Sequence, residues 1–351
     1  MKREIGGEFW TVETTPDGTR VHEAVAPLRD ARFFLSGRFA LAAILREPRF
    51  ALPSFRVAAL PSWCCDSMIA PFVESGFEIK FYSARLEDGR FVMDMSEADD
   101  CDVALEMSYF GYAVAPSRDF RRRPRALIRD VTHSLFSDPY ALSLDDADYA
   151  FGSLRKWSGF ATGGFALGIS SSFEDSATDE EYVATRRRAA QMKARYIAGE
   201  TDDKSFLSTF ADAEARLDPP FATARGGADP ECRSLALRFD VDRVKSRRRA
   251  NASVLLRALS HRALFPLGEN DCPLFVPIVL PRGERDALKR FLIERRIYCP
   301  THWPLDDLHG SLPTSCRAIY ESELSVVCDQ RYDEEDMERI ASAITEFEKG
   351  V

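Results

Sequence analysis

Long apolar runs are missing from this chain. No stretch of its 351 residues reaches the roughly 18 apolar residues that a membrane-spanning helix needs. The start, Met1-Lys2-Arg3-Glu4-Ile5-Gly6-Gly7, has no apolar signal region. A cytoplasmic protein with no membrane partner is the expectation. A basic surplus is missing too: 47 Lys and Arg against 56 Asp and Glu leave a net charge of -9. That balance argues against a nucleic-acid partner, which wants a basic surface. The short clusters Arg121-Arg122-Arg123 and Arg247-Arg248-Arg249 read as solvated faces of a loop and a helix. Strongly salt-dependent binding would be the sign that they meet nucleic acid after all. Cysteine is sparse and scattered. The eight thiols lack zinc-finger spacing, and the adjacent Cys64-Cys65 are poorly placed to hold one metal together. No metal is expected, and free, mostly buried thiols in a reducing compartment are. Repeats and low-complexity tracts are absent as well.

What is present is enough chain for two domains and a large core, with 45% hydrophobic residues. Ser36-Gly37 reads as a turn opening an apolar helix through Leu45. Phe55–Leu60 reads as a buried strand, Ser67–Ser75 as a helix, and Glu78–Tyr82 as a strand. Val103–Met107 and Ala126–Ile128 are further short apolar strands. Strands alternating with helices imply an α/β fold with a mainly parallel sheet, whose site lies at the carboxyl ends of its strands. Trp63, Tyr109, Asp130, Ser153 and Lys156 all fall at or just past such ends. Asp179–Leu217 is charged and helical in pattern. Pro219-Pro220 and Gly226-Gly227 mark a break, after which an α+β block follows: a helix at Val241–Ser260, a strand at Leu274–Leu280, a helix at Gly283–Arg295, a strand at Ile297–Cys299 and a helix at Asp333–Glu348. The expected division is a large domain over 1–230, whose N-terminal segment can pack on the second unit, and a small domain over 231–351.

The chemistry concentrates in Asp130-Val131-Thr132-His133 and Ser153-Leu154-Arg155-Lys156-Trp157. An acid closing one strand, then a serine and a lysine on the next loop, suit pyridoxal 5'-phosphate (PLP). That cofactor needs a lysine amine for a Schiff base and a carboxylate to keep its pyridine nitrogen protonated. Its phosphate needs hydroxyl and backbone donors. The apolar, small-residue setting of Lys156 would desolvate the amine and favour its nucleophilic form; a solvated loop lysine is the plain alternative. Asp130 either pairs with a pyridinium N–H or caps the turn after its strand. His133 can donate to the ring's phenolic oxygen or serve structure alone. Ser36-Gly37, followed by Arg38, can present backbone N–H groups to a phosphate at a helix N-terminus, or Ser36 is an ordinary N-cap. Ser153 can add a hydroxyl. Trp63 either stacks on a ring or packs in the core. Arg155 cannot form an imine and is left a phosphate or partner role.

In this order the residues resemble fold-type-I PLP enzymes, and among them the DegT/StrS-type aminotransferases of amino-sugar biosynthesis. The resemblance covers nearly the whole chain. Ser36-Gly37 looks like the family's phosphate-binding turn, and Leu60-Pro61-Ser62-Trp63 to Gly76, with Phe81-Tyr82, like its second βαβ unit. Asp130-Val131-Thr132-His133 looks like the Asp-x-x-Gln motif with His133 in the Gln place. Ser153 and Lys156 look like its serine and Schiff-base lysine, and Thr301-His302-Trp303-Pro304 like a C-terminal His-aromatic element. The closing strand and helix match Leu324–Val327 and Asp333–Ile344. The chain also departs from the pattern. Serine and lysine are three residues apart where the family has five. The ring-stacking place falls on Cys65 or on Trp63. No counterpart is found to the Gly-x-Asn-x-Arg segment that serves nucleotide-sugar substrates.

The resemblance implies a seven-stranded-type sheet, PLP as cofactor, and a homodimer with the site at its interface. It implies amino transfer from an amino-acid donor to a carbonyl acceptor, with Lys156 as proton carrier, Asp130 on the ring, and Tyr109 and His302 toward substrate. Two rivals stand beside it. One is another PLP reaction on the same scaffold, such as a lyase or decarboxylase; Lys156 argues against the dehydratases that carry His in its place. The other is a non-catalytic protein of the same fold.

Overall fold

The computed structural model describes residues 4–15, 21–87, 89–112, 120, 122–137, 141–169, 173–174, 176–218, 220–221 and 226–350. Of the residues named above, Met1, Lys2, Arg3, Arg121 and Pro219 lie outside these. After β1 (Ile5–Gly6), the first half runs β2 (Arg32–Phe34), α1 (Gly37–Leu45), β3 (Val57–Pro61), α2 (Asp66–Glu74), β4 (Glu78–Glu87) and β5 (Arg90–Asp94). Three parallel strands follow, β6 (Val103–Met107), β7 (Ala126–Asp130) and β8 (Tyr149–Ser153), then β9 (Gly164–Gly168). Helices α3 (Glu180–Ile197), α4 (Phe206–Ala215), α5 (Cys232–Leu237) and α6 (Val241–Leu259) lead to β10 (Val276–Val279), α7 (Glu284–Glu294), β11 (Ile297–Tyr298), α8 (Thr314–Ser322), β12 (Glu323–Val326) and α9 (Glu334–Glu348).

The main sheet has the order β2-β9-β8-β7-β6-β3-β4-β5. Every residue of β6, β7 and β8 is buried, as expected of parallel strands covered on both faces. The seven-stranded expectation is met by β2 through β4. An eighth strand, β5, folds back antiparallel on β4 and closes that edge. Gly89, at φ 75°, provides the left-handed residue for this return. At the other side β9 runs antiparallel to both β8 and β2, so β2, β8, β7, β6 and β3 all end on one edge. Past Arg38, helix α1 is apolar all round, with Phe39 through Leu45 buried, and it packs between the sheet and α2.

A second core gathers Ala252, Leu255, Leu259, Val276, Ile278, Leu292, Leu324, Val326, Ile340 and Ile344. Residues earlier in α6, Val241 and Val244, pack instead with Val25, Phe136, Trp157 and Phe239 beside the main sheet. Helix α6 therefore runs through both cores. The N-terminal strand β1 pairs in parallel with β11, Ile5 against Ile297, and Ile5 joins the second core. Among the described residues no helix is long and apolar enough to cross a membrane, and no group of His, Cys, Asp and Glu is arranged to hold a metal ion. The arginine triplet on α6 does not lie on a solvated face as its charge suggests. Arg247 is exposed, but Arg248 is fully buried and donates to the carbonyls of Pro273 and Leu274.

Candidate active site

The register of three strands builds one end of the site. Phe34 of β2 pairs with Gly164 of β9, and Gly164 pairs with Ser153 at the end of β8. Two residues past Phe34, Ser36 and Gly37 therefore open α1 directly beside Ser153. A side chain at Gly164 would collide with the Ser36 carbonyl at 2.0 Å, and a Cβ at Gly37 would lie 3.4 Å from the Ser153 Cβ. Ser36 stands at the N-cap position, yet its hydroxyl makes no cap bond. Its Oγ is buried with no partner. Such orphans are rare in folded proteins because each costs free energy. A hydroxyl left open at a helix N-terminus beside a second serine is the donor set that a phosphate uses. Arg38 does not complete this cradle: it pairs with Asp218 and donates to the Leu217 carbonyl.

Asp130 closes β7 and is buried. Its Oδ1 accepts the Thr132 backbone N–H at 2.8 Å. Burial raises its pKa from the ordinary 3.8 to about 6, against the opposing pull of the Thr132 bonds and the Lys156 charge. A cationic N–H partner would relieve this desolvation. Three residues on, His133 is held with its Nδ1 accepting the Phe110 backbone N–H at 3.2 Å. Burial depresses its pKa to about 3, so the ring is neutral and its proton sits on Nε2. The side chain is thereby fixed as a hydrogen-bond donor at Nε2.

Lys156 ends a short 3-10 turn after Ser153. It is exposed, not sunk in an apolar pocket as its neighbours suggest. Leu154, Trp157 and Phe160 turn into the core, leaving the lysine on the wall of a cavity of about 520 Å³. His133, Arg155, Phe275 and His302 line the same cavity. The Lys156 charge acts on Asp130, His133, His302 and Cys65, so these groups converge on one amine.

The residues proposed for ring stacking separate. Cys65 is half-buried, unlike the other seven cysteines, and is the member of its segment that the Lys156 charge reaches. Trp63 is fully buried and lies 4.8 Å from the Tyr109 ring in a stacked pair. Its indole N–H donates to the His302 carbonyl at 2.6 Å. Tyr109 is likewise buried, donating to the Trp63 carbonyl at 2.6 Å, so it presents no surface to a substrate. Both serve as packing beneath the site. His302 does reach the cavity, half-buried.

Glu214, Arg331, Asp329, Glu323 and Ser325, which surround the site, carry no sequence signal. Arg155 pairs with Glu214, which also takes Arg186. Arg331 and Asp329 form a buried pair on the cavity wall. Glu323 and Ser325 stand behind His302. Only the tertiary fold brings these together, across separations as long as those linking Arg155 to α4.

No protein-family model matches the sequence, and no curated protein matches it. Solved structures do. A Streptococcus pneumoniae protein described as a sugar aminotransferase, in its PLP form, superposes with a TM-score of 0.64 at 16% identity, over 99% of this chain and 94% of its own. Helicobacter pylori PseC, an aminotransferase of pseudoaminic acid biosynthesis, gives 0.61 at 13% over 98% and 100%. A DegT DnrJ EryC1 StrS aminotransferase from Brucella abortus gives 0.56 at 15% over 90% and 85%. Sheet order, the site edge and these superpositions agree: the chain has the fold-type-I architecture of the DegT/StrS-type aminotransferases, which its motifs resemble.

Proposed function

We propose that this protein is a PLP-dependent aminotransferase that moves an amino group from an amino acid to a carbonyl acceptor. A sugar-type carbonyl is the first acceptor to try, since the structural neighbours are described as sugar aminotransferases. The observation that carries the reading is convergence on Lys156. Its charge reaches a buried carboxylate at one strand end and a donor-locked imidazole, while a partnerless Ser36 hydroxyl sits beside Ser153 on the same edge. Lys156, Asp130, His133, Ser153, Ser36, Gly37 and Cys65 are the residues that would hold the cofactor. The reading includes a large domain over 1–230, a small one over 231–351, and a homodimer.

PLP, when bound, supplies an electron sink for the bond broken at the amino carbon. The residues divide the remaining work. Lys156 Nζ would be the amine that holds the cofactor's aldehyde and the group that moves a proton at the substrate carbon. Asp130 would hold the pyridine proton in place, and His133 Nε2–H would donate to the phenolic oxygen. Ser36 Oγ, Ser153 Oγ and the backbone N–H groups of the first turn of α1 would hold the phosphate.

The test is the absorption spectrum of the purified protein with PLP, beside Lys156→Ala. A visible band that is absent in the variant and shifts on adding glutamate, with a keto acid released, is the expected result. No lysine-dependent band would overturn the reading and leave the fold put to a non-catalytic use. A band that forms without amine transfer would favour a lyase or decarboxylase.

A further inference from the structure

His302 differs from His133 in what stands behind it. The His133 Nδ1 faces a backbone N–H, which can only donate. The His302 Nδ1 lies 2.8 Å from Ser325 Oγ, and Ser325 in turn bonds Glu323 Oε1. The other Glu323 oxygen accepts the His302 backbone N–H at 2.8 Å. Glu323 and Ser325 are both buried, at 1% and 0% exposure. They alternate along β12, which places both on one face. A carboxyl buried at a strand end without a cation within ion-pair distance among the described residues is costly, and packing alone does not require one. With Nδ1 held by Ser325, Nε2 is the ring nitrogen left for the cavity that His302 and Lys156 both line.

We propose that His302 is a second proton-handling residue of this cavity, taking or giving a proton at Nε2 while staying neutral, because Ser325 and Glu323 carry the compensating proton from Nδ1. The balance closes. When Nε2 takes a proton, the Nδ1 proton moves to Ser325 Oγ, and the Ser325 proton moves to Glu323 Oε1. One proton is taken up, and the charge that changes is the Glu323 carboxylate, which becomes neutral. The imidazole ends as the opposite tautomer. Return of the protons along the same path makes Nε2 a donor to an alkoxide or amine. This route suits a ring whose imidazolium is strongly disfavoured by burial and by the neighbouring His133 and Lys156.

The charged groups around the relay are few. Arg285 and Lys289 of α7 face Glu323, and His133, Lys156 and Lys289 face His302. Burial outweighs these cations and pushes Glu323 up to about 8, so both states of the relay are reachable near neutral pH. Its place in amino transfer rests on the proposed function; the relay itself does not.

The experiment is therefore made on the cofactor-free protein. Histidine is labelled with nitrogen-15, the two ring nitrogens of each of the five histidines are read by NMR, and His302 is assigned with His302→Gln. The expected result is a neutral His302 that is protonated on Nδ1 at high pH and on Nε2 at low pH, with a midpoint near 8. Glu323→Gln and Ser325→Ala should each abolish the switch; Ser325→Ala carries the test if the glutamate variant does not fold. A single tautomer from pH 6 to 10, an imidazolium in that range, or an unchanged switch in a folded Ser325→Ala would overturn the proposal. Absence of amine transfer with the switch intact would instead count against the proposed function.

Discussion

The indole N–H of Trp63 and the carbonyl of His302 meet at 2.6 Å across 239 residues of sequence. The bond joins the end of β3 to the segment after β11. With Glu323 holding the His302 amide from the other side, both backbone polar groups of His302 are fixed by side chains. Trp63 thus positions a cavity residue from beneath.

Trp63→Phe keeps most of the aromatic packing and removes this donor. The His302 carbonyl then loses its partner, which should cost about 1–3 kcal/mol of stability in urea unfolding. PLP affinity should stay within about threefold, because the indole is not at the cavity surface. Unchanged stability with a tenfold loss of PLP affinity would return Trp63 to the ring.

Ser36→Ala tests the phosphate cradle. An N-cap serine that makes its bond is worth roughly 0.5–2 kcal/mol, but Ser36 makes none. The substitution should change stability by less than about 0.5 kcal/mol. It should weaken PLP about tenfold, the worth of one charge-assisted hydrogen bond, and leave pyridoxal, which lacks the phosphate, unaffected. Equal loss for both aldehydes would show that the hydroxyl does not meet the phosphate.

How much of this was legible in the sequence depends on range. The apolar run of β7 ending in Asp130 is local, as is the small-residue turn opening α1, and both stand where their patterns place them. Strands β5, β2 and β9 were not read from the sequence. Strand β2 is only three residues long, and the register of β2 and β9 exists only through pairing with each other and with β8. The segment Ser62-Trp63-Cys64-Cys65 leaves the strand period at Pro61, so nothing local says which side chain faces the cavity. Trp63 went to the core and Cys65 toward Lys156. Ser325 lies in the expected Leu324–Val327 strand and Glu323 just before it, but their target, His302, is set by the fold.

Asp130→Asn should make the cofactor-free protein more stable, in a pH-dependent way. An acid whose pKa is higher folded than unfolded binds its proton more tightly in the native state. Its contribution is fully present below 3.8 and is lost as pH rises to about 6. The loss is on the order of 3 kcal/mol. Asparagine keeps an oxygen for the Thr132 N–H and has nothing to ionise. The variant and wild type should therefore unfold alike near pH 4 relative to their pH 8 difference, where the variant gains up to about 3 kcal/mol. Added PLP should narrow the gap by giving the wild-type carboxylate a cationic partner. A pH-independent difference would mean that Asp130 is not desolvated in the free protein.

Arg248 links the turn that carries Lys156 to the second half of the chain. Its Nη1 donates to the carbonyls of Pro273 and Leu274 at 3.1 and 3.0 Å, its Nη2 to that of Trp157 at 3.4 Å, and its Nε to Gln330 at 2.7 Å. The guanidinium lies 4.9 Å from the Trp157 ring centroid, and Gln330 donates to the same Trp157 carbonyl at 2.7 Å. Trp157 is the residue after Lys156, so one planar fork fixes the backbone on which the amine stands. A lysine cannot span these acceptors. Arg248→Lys should cost about 3 kcal/mol, from carbonyls left buried without donors. Hydrogen exchange should quicken at residues 154–158 more than in β7, because the lost bonds converge on that turn. Uniform quickening across the sheet, or none, would mean that Arg248 does not specifically brace Lys156.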